Sequence, residues 1–243
     1  MFHFLKKTTV AIHHQHSLEN FEGKPSLKIN PRSKRIVFRC DQKTGKPVIV
    51  LPSSFYLKKI NTYEASYHQW YANLKINPPR TLSTGSSFPY KGTPHLLNFT
   101  QEKLYSTPQI IHDDGIFIIK GRAEKDLGPA LKNYLVAAAL DYAMEKSHLY
   151  AHKLGVELTH IAVKDMKTMW GRCMRGKDLC YNWRLILAPP EIFDYVCAHE
   201  VSHCIHPHHQ PAFWKLVSSF FPRAKESRLW LKKHGPELMM YQF

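Results

Sequence analysis

The stretch that decides the reading runs from Leu187 to Trp214, LAPPEIFDYVCAHEVSHCIHPHHQPAFW. Pro189 and Pro190 end whatever strand precedes them, and Pro190 suits the first turn of a helix, where its missing N–H is not needed. Ile192, Phe193, Tyr195, Val196, Cys197, Ala198 and Val201 then make that helix apolar on nearly every side, so burial is expected. Within it stands His199-Glu200-Val201-Ser202-His203. At about 100° per residue, two histidines four apart differ by roughly 40° and one turn of rise, so both imidazoles project from one face and can meet a single ion. Glu200 lies to the flank of that pair. It is too far round to be a natural third ligand, yet close enough to reach a water on a shared ion. Five letters are a short motif, and the context decides. A carboxylate and two imidazoles buried without partners are costly, and a cation removes much of that penalty.

A catalytic zinc usually takes three protein ligands and leaves one position open. Pro207 ends the helix and lets the chain swing back toward the ion. His206, His208 and His209 all follow closely, and spacing favours none of them.

Working outward, VELTHIAVKDM (156–166) reads as a strand, residues 175–178 as a turn, and LCYNWRLIL (179–187) as a returning strand. A long helix opens near Pro129, with Leu131, Leu135, Ala138, Tyr142, Leu149 and Tyr150 on or near one stripe. Downstream, one helix begins at Pro211 and finishes before Pro222, and another near SRLWLKKH ends at Gly235. In the first half, KRIVFRC (34–40) and PVIVLP (47–52) read as a hairpin. Ser53 or Ser54 then caps a helix carrying Ile60, Tyr63, Tyr67, Trp70, Tyr71 and Leu74. That aromatic stripe is better suited to a core than to stacking bases. Pro78 and Pro79 stop it. QIIH and IFIIK flank Asp113-Asp114-Gly115, a strong short-loop hairpin signal. The expected fold class is α+β. A tail over 1–20, with His13, His14 and His16, precedes a β-rich region with one helix over 21–125. A second domain over 126–243 has a small sheet and the His199–His203 helix.

Composition bounds the function. The chain has 243 residues with 44% hydrophobic content, so it is globular. No apolar run reaches the ~18 residues a membrane span needs, and the start lacks the pattern of a signal peptide. Its five cysteines form no CxxC pair, which fits reduced thiols and a cytoplasmic location. With 34 Lys plus Arg against 19 Asp plus Glu, the net charge is +15. Such a field favours anionic partners. Nucleic acid remains open as one of them, although no basic run or nucleic-acid motif indicates it.

From Lys167 to Trp214 the chain resembles the YgjP-like family of zinc metallopeptidases, relatives of the SprT-like and WLM proteins. The resemblance rests on Thr168-Met169-Trp170-Gly171-Arg172-Cys173, on Tyr181-Asn182-Trp183-Arg184-Leu185-Ile186-Leu187-Ala188-Pro189, on Asp194 to His203, and on His209-Gln210-Pro211-Ala212-Phe213-Trp214. It is strong over about 125–235 and weaker before that. It implies a zincin-like core, one Zn2+ held by His199, His203 and His209, and Glu200 as the catalytic base. His206 and His208 match no ligand of the family. Met169 and Arg172 depart from its pattern, which has Arg and Ser there, in a segment that borders the expected substrate cleft.

Three functions follow. The first is a metallopeptidase acting on a peptide substrate. The second is a zinc hydrolase acting on a nucleotide or other phosphorylated substrate, which the charge favours. The third is a nucleic-acid- or protein-binding module with a structural zinc, needing a fourth ligand from Cys204, His206 or His208. Asn182 and Arg184, just before the metal helix, are candidate substrate contacts, against the alternative of a structural ion pair.

Overall fold

The computed structural model describes residues 18–41, 45–72, 80–174 and 177–243. The chain divides into two compact units, residues 1–79 and 80–243.

In the first unit β1 (Ser26–Ile29), β2 (Val37–Cys40) and β3 (Pro47–Leu51) form a sheet in the order β1-β3-β2. The expected β2–β3 hairpin is present as an antiparallel pair, while β1 runs parallel to β3. A 3-10 stretch, Ser54–Tyr63, leads into α1 (Glu64–Ala72). Ser53 precedes it without a side-chain capping bond. The aromatic stripe faces the core: Tyr67 is fully buried among Phe21, Phe38, Trp70 and Tyr71. Its hydroxyl donates to the Glu22 carbonyl at 2.7 Å. The expected histidine-rich tail falls almost wholly outside the described residues, as do Leu74, Pro78 and Pro79.

Among the described residues, the second unit holds two sheets and four α-helices. β4 (Ser87–Tyr90), β5 (Thr93–Gln101), β6 (Gln109–Asp113) and β7 (Ile116–Gly121) make a four-stranded sheet in the order β4-β5-β7-β6. The β6–β7 hairpin turns through Asp114 and Gly115, with φ of 40° and 75°, as the Asp-Gly pair predicts. α2 (Leu127–Leu154) lays Leu127, Leu131 and Leu135 into the same core as Phe117 and Ile119 of β7. The boundary expected near residue 125 therefore runs through a continuous apolar core. The chain divides after Pro79 instead.

β8 (His160–Lys164), β9 (Gly171–Met174) and β10 (Asp178–Asn182) form the second sheet, in the order β8-β10-β9. The strand expected over 179–187 stops at Asn182, and Trp183–Leu187 coil into a 3-10 turn buried on all sides. A continuous apolar run does not distinguish a buried strand from a buried helical turn. Here the Asn182 side chain settles it by accepting the Arg184 N–H at 3.2 Å. Then follow α3 (Pro190–Ser202), α4 (Pro211–Phe220) and α5 (Ala224–Leu238). α5 passes through Gly235 and Pro236 rather than ending at Gly235. That glycine makes room, since a Cβ there would sit 2.8 Å from the Trp170 ring. The architecture is α+β, with three small sheets and five α-helices among the described residues.

Candidate metal centre

α3 delivers His199 and Glu200 in its last turn, and His203 caps its C-terminus. Ile192, Phe193, Val196, Cys197, Ala198 and Val201 bury the rest of the helix, which fixes the direction of these polar side chains. The chain reverses after Pro207, and α4 begins at Pro211. Phe213 and Val217 anchor α4 in the core with no exposed surface. That reversal returns His209 to the end of α3. The imidazoles of His199, His203 and His209 each offer one ligand atom, all within 4.8 Å of one another. His206 and His208 stay outside this cluster.

The donor set fits a cation. The Nε2 atoms of His199 and His209 are 3.1 Å apart. Two zinc-bound nitrogens at ~2.0–2.1 Å in a tetrahedral site lie about 3.3 Å apart, close to this spacing. His203 Nδ1 donates to the His206 carbonyl at 3.0 Å, which leaves the Nε2 lone pair free for an ion. The Tyr195 hydroxyl lies 3.3 Å from His199 Nδ1. Burial pushes His199 down to about 3, helped by His203, His209 and Arg228, so the ring stays in its neutral, ligating form. Rings close the flank: Phe213 stacks on His203 with centroids 4.5 Å apart, and Trp214 stacks on His209 at 5.4 Å.

Glu200 is only 6% exposed. Burial pushes its carboxyl up to about 8, against a backbone hydrogen bond from Cys173 that favours the anion. A divalent cation beside it would offset the burial penalty and restore the carboxylate. β9 passes so close that a Cβ on Gly171 would sit 2.6 Å from Glu200 Oε1. Gly171→Ala is therefore expected to displace Glu200 and lower kcat by about tenfold to a hundredfold. Bound metal should stay at the wild-type level, checked by elemental analysis beside steady-state kinetics.

Two hollows meet at His199 and Glu200. One, of about 520 Å³, is bordered by Arg172, Lys177, Cys173 and Cys204. The two sulfurs are 3.8 Å apart. That contact, with burial, raises the Cys173 thiol, and it lowers the Cys204 thiol to about 7. The other hollow, of about 320 Å³, lies toward α5.

Arg184 and Asn182 do not reach either hollow. Arg184, 5% exposed, places Nη1 2.6 Å from Asp165 Oδ1, and its Nε and Nη2 donate to the Tyr241 carbonyl at 3.1 and 2.9 Å. Asn182 Nδ2 donates to the carbonyls of Met166 and Met169 at 2.7 and 3.1 Å. Both residues are structural, so the substrate-contact expectation is corrected. Arg184→Ala should cost about 2 kcal/mol in denaturant unfolding, because it leaves the buried Tyr241 carbonyl without its two donors, whereas the half-exposed Asp165 keeps Lys132 at 3.5 Å. Partial burial would raise Asp165, but the hydrogen bonds and charges of Arg184 and Lys132 outweigh it and hold the carboxyl below its usual range. A depressed carboxyl stabilises the fold above its unfolded pKa. That part of the stability is present above about 3.8 and fades as pH falls through the lower folded value.

An α+β unit that turns three imidazoles toward one point, with a buried carboxyl alongside, has the ligand chemistry of the metallohydrolases. The chain belongs to the YgjP-like family, whose metallopeptidase-domain model matches residues 27–234. That membership makes it a metal-dependent, peptidase-like hydrolase. Among solved structures, that of the metallopeptidase zymogen of Pyrococcus abyssi abylysin is 21% identical. The match covers 37% of this chain and 93% of that one, with a TM-score of 0.34. No curated protein matches the chain.

Proposed function

We propose that the protein is a zinc-dependent metallopeptidase with a zincin-like core, in which His199, His203 and His209 hold one ion and Glu200 is the general base. The observation that carries this reading is the convergence of three imidazole nitrogens within 4.8 Å beside a buried carboxyl. Among the described residues, no fourth donor joins that cluster: Cys204 contacts Cys173, and His206 offers its backbone carbonyl to His203. Three protein ligands and an open position distinguish a catalytic from a structural zinc site.

A zinc ion in this site supplies Lewis acidity, polarising the scissile carbonyl and bringing a water's pKa toward ~7. The rest falls to the chain. Glu200 takes the proton from the attacking water and returns it to the leaving amine. Gly171 leaves the space in which the carboxylate sits. Tyr195 and the His206 carbonyl fix the rings of His199 and His203. The stack of Trp214 on His209 orients the third ring.

The test is chelation followed by reconstitution. Hydrolysis of a peptide panel should vanish on metal removal and return with one equivalent of Zn2+. Turnover of nucleoside triphosphates in place of peptides would instead support the phosphorylated-substrate reading, which the basic border of the larger hollow favours. We place the protein in the cytoplasm, where its five free thiols stay reduced. No helix among the described residues is long and apolar enough to cross a membrane.

A further inference from the structure

We infer that Arg228 selects substrates with an acidic group, seating a carboxylate in the hollow between α3 and α5. This rests on the peptidase reading above and names its substrate class. Met169, Trp170, Val196 and Leu231 give the hollow an apolar wall, and His199, Glu200 and Arg228 line it as well. An apolar wall with one positive charge suits a short side chain or chain end that carries a carboxylate.

Arg228 is held for this task. Its guanidinium carbon lies 4.3 Å from the centroid of the Trp214 ring, and Trp214 stacks in turn on His209. A cation over an aromatic face keeps its position without spending its hydrogen bonds. Arg80, Arg184 and Arg223 each face a carboxylate, at 2.6, 2.6 and 3.7 Å. Arg228 has no such ion pair among the described residues. Among the described residues, the sole carboxylate lining either hollow is Glu200, which the reaction needs for itself. An acidic group on the substrate supplies the missing counter-charge and, by its position, sets which bond lies over Glu200.

The test uses the zinc-loaded full chain and peptides matched except for Glu, Gln or Lys at the positions flanking the cleaved bond. Each peptide is made with a free and with an amidated C-terminus. Affinity is read by fluorescence anisotropy on Glu200→Gln protein with and without Arg228→Glu, and kcat/KM on the corresponding active forms. The acidic peptides should be preferred over the Gln peptides by about tenfold or more. Arg228→Glu should abolish that preference and favour the Lys peptides, with metal content unchanged. Preference surviving amidation assigns the carboxylate to a side chain, and preference lost on amidation assigns it to the chain end; either supports the role of Arg228. Equal affinity for Glu and Gln peptides, or an equal loss on all peptides in Arg228→Glu, overturns it. A nucleoside triphosphate that binds more tightly than the acidic peptides, through Arg228, overturns the peptide assignment. Acid preference in binding without hydrolysis removes the peptidase reading and retains Arg228. Hydrolysis without acid preference does the reverse.

Discussion

Glu200→Gln should lower kcat by about 10²–10⁴-fold while KM and bound metal stay near their wild-type values. The substitution preserves the volume and the contact with Gly171, so the geometry around His199 and His203 is kept. What it removes is the ability to accept a proton. Glu200 is suited to that role by its seclusion: it sits in the last turn of a buried helix, beside the ligand cluster but outside it. Retained metal with lost turnover separates a base from a ligand. Activity surviving in the variant would remove Glu200 from the reaction, and metal lost with activity would make it a ligand.

His209→Ala should weaken zinc binding by more than about 100-fold, since losing a group that only hydrogen-bonds to a ligand commonly costs 10–100-fold. His206→Ala and His208→Ala should keep the metal. The contrast is sharp because the three residues lie within four positions. His206 contributes through its backbone carbonyl, which alanine retains. The His208 carbonyl accepts the Gln210 N–H at 2.7 Å, shaping the approach to α4. Only the His209 ring reaches the cluster. Zinc titration against a competing chelator reads all three variants. Loss of metal in His208→Ala with retention in His209→Ala would overturn the ligand set.

These residues show what a sequence can disclose. The placement of His199 and His203 on one face follows from helical periodicity and two prolines, both local properties of the chain. His209 does not. Spacing left it level with His206 and His208, and the resemblance alone singled it out, because the return of the chain depends on α4 docking through Phe213 and Val217. Tyr195 was findable, one turn before His199 on the same helix. The His206 carbonyl was not, since a backbone acceptor leaves no mark on residue identity. Gly171 stood in the quoted motif, but its closeness to Glu200 comes from the packing of β9 on α3. The coil of Trp183–Leu187 and the parallel seat of β1 were hidden for a related reason. Buried apolar runs look alike whether extended or coiled, and strand partners are chosen across distance. The division after Pro79 escaped because a change in local character near residue 125 is no guide to which segments share a core.

The two helices that flank the imidazoles, α3 and α4, are fastened by Val201, Phe213 and Val217, side chains with no exposed surface that owe nothing to an ion. If these imidazoles hold the proposed ion, ordinary hydrophobic packing is expected to assemble their cage before any metal arrives. A zinc finger, by contrast, is unfolded without its metal. Demetallated protein should accordingly keep its far-ultraviolet dichroism and a cooperative melt. Added Zn2+ should raise the midpoint only by the mass-action amount set by its affinity. In a cell, such a scaffold could wait folded and silent, its activity metered by the local supply of free zinc.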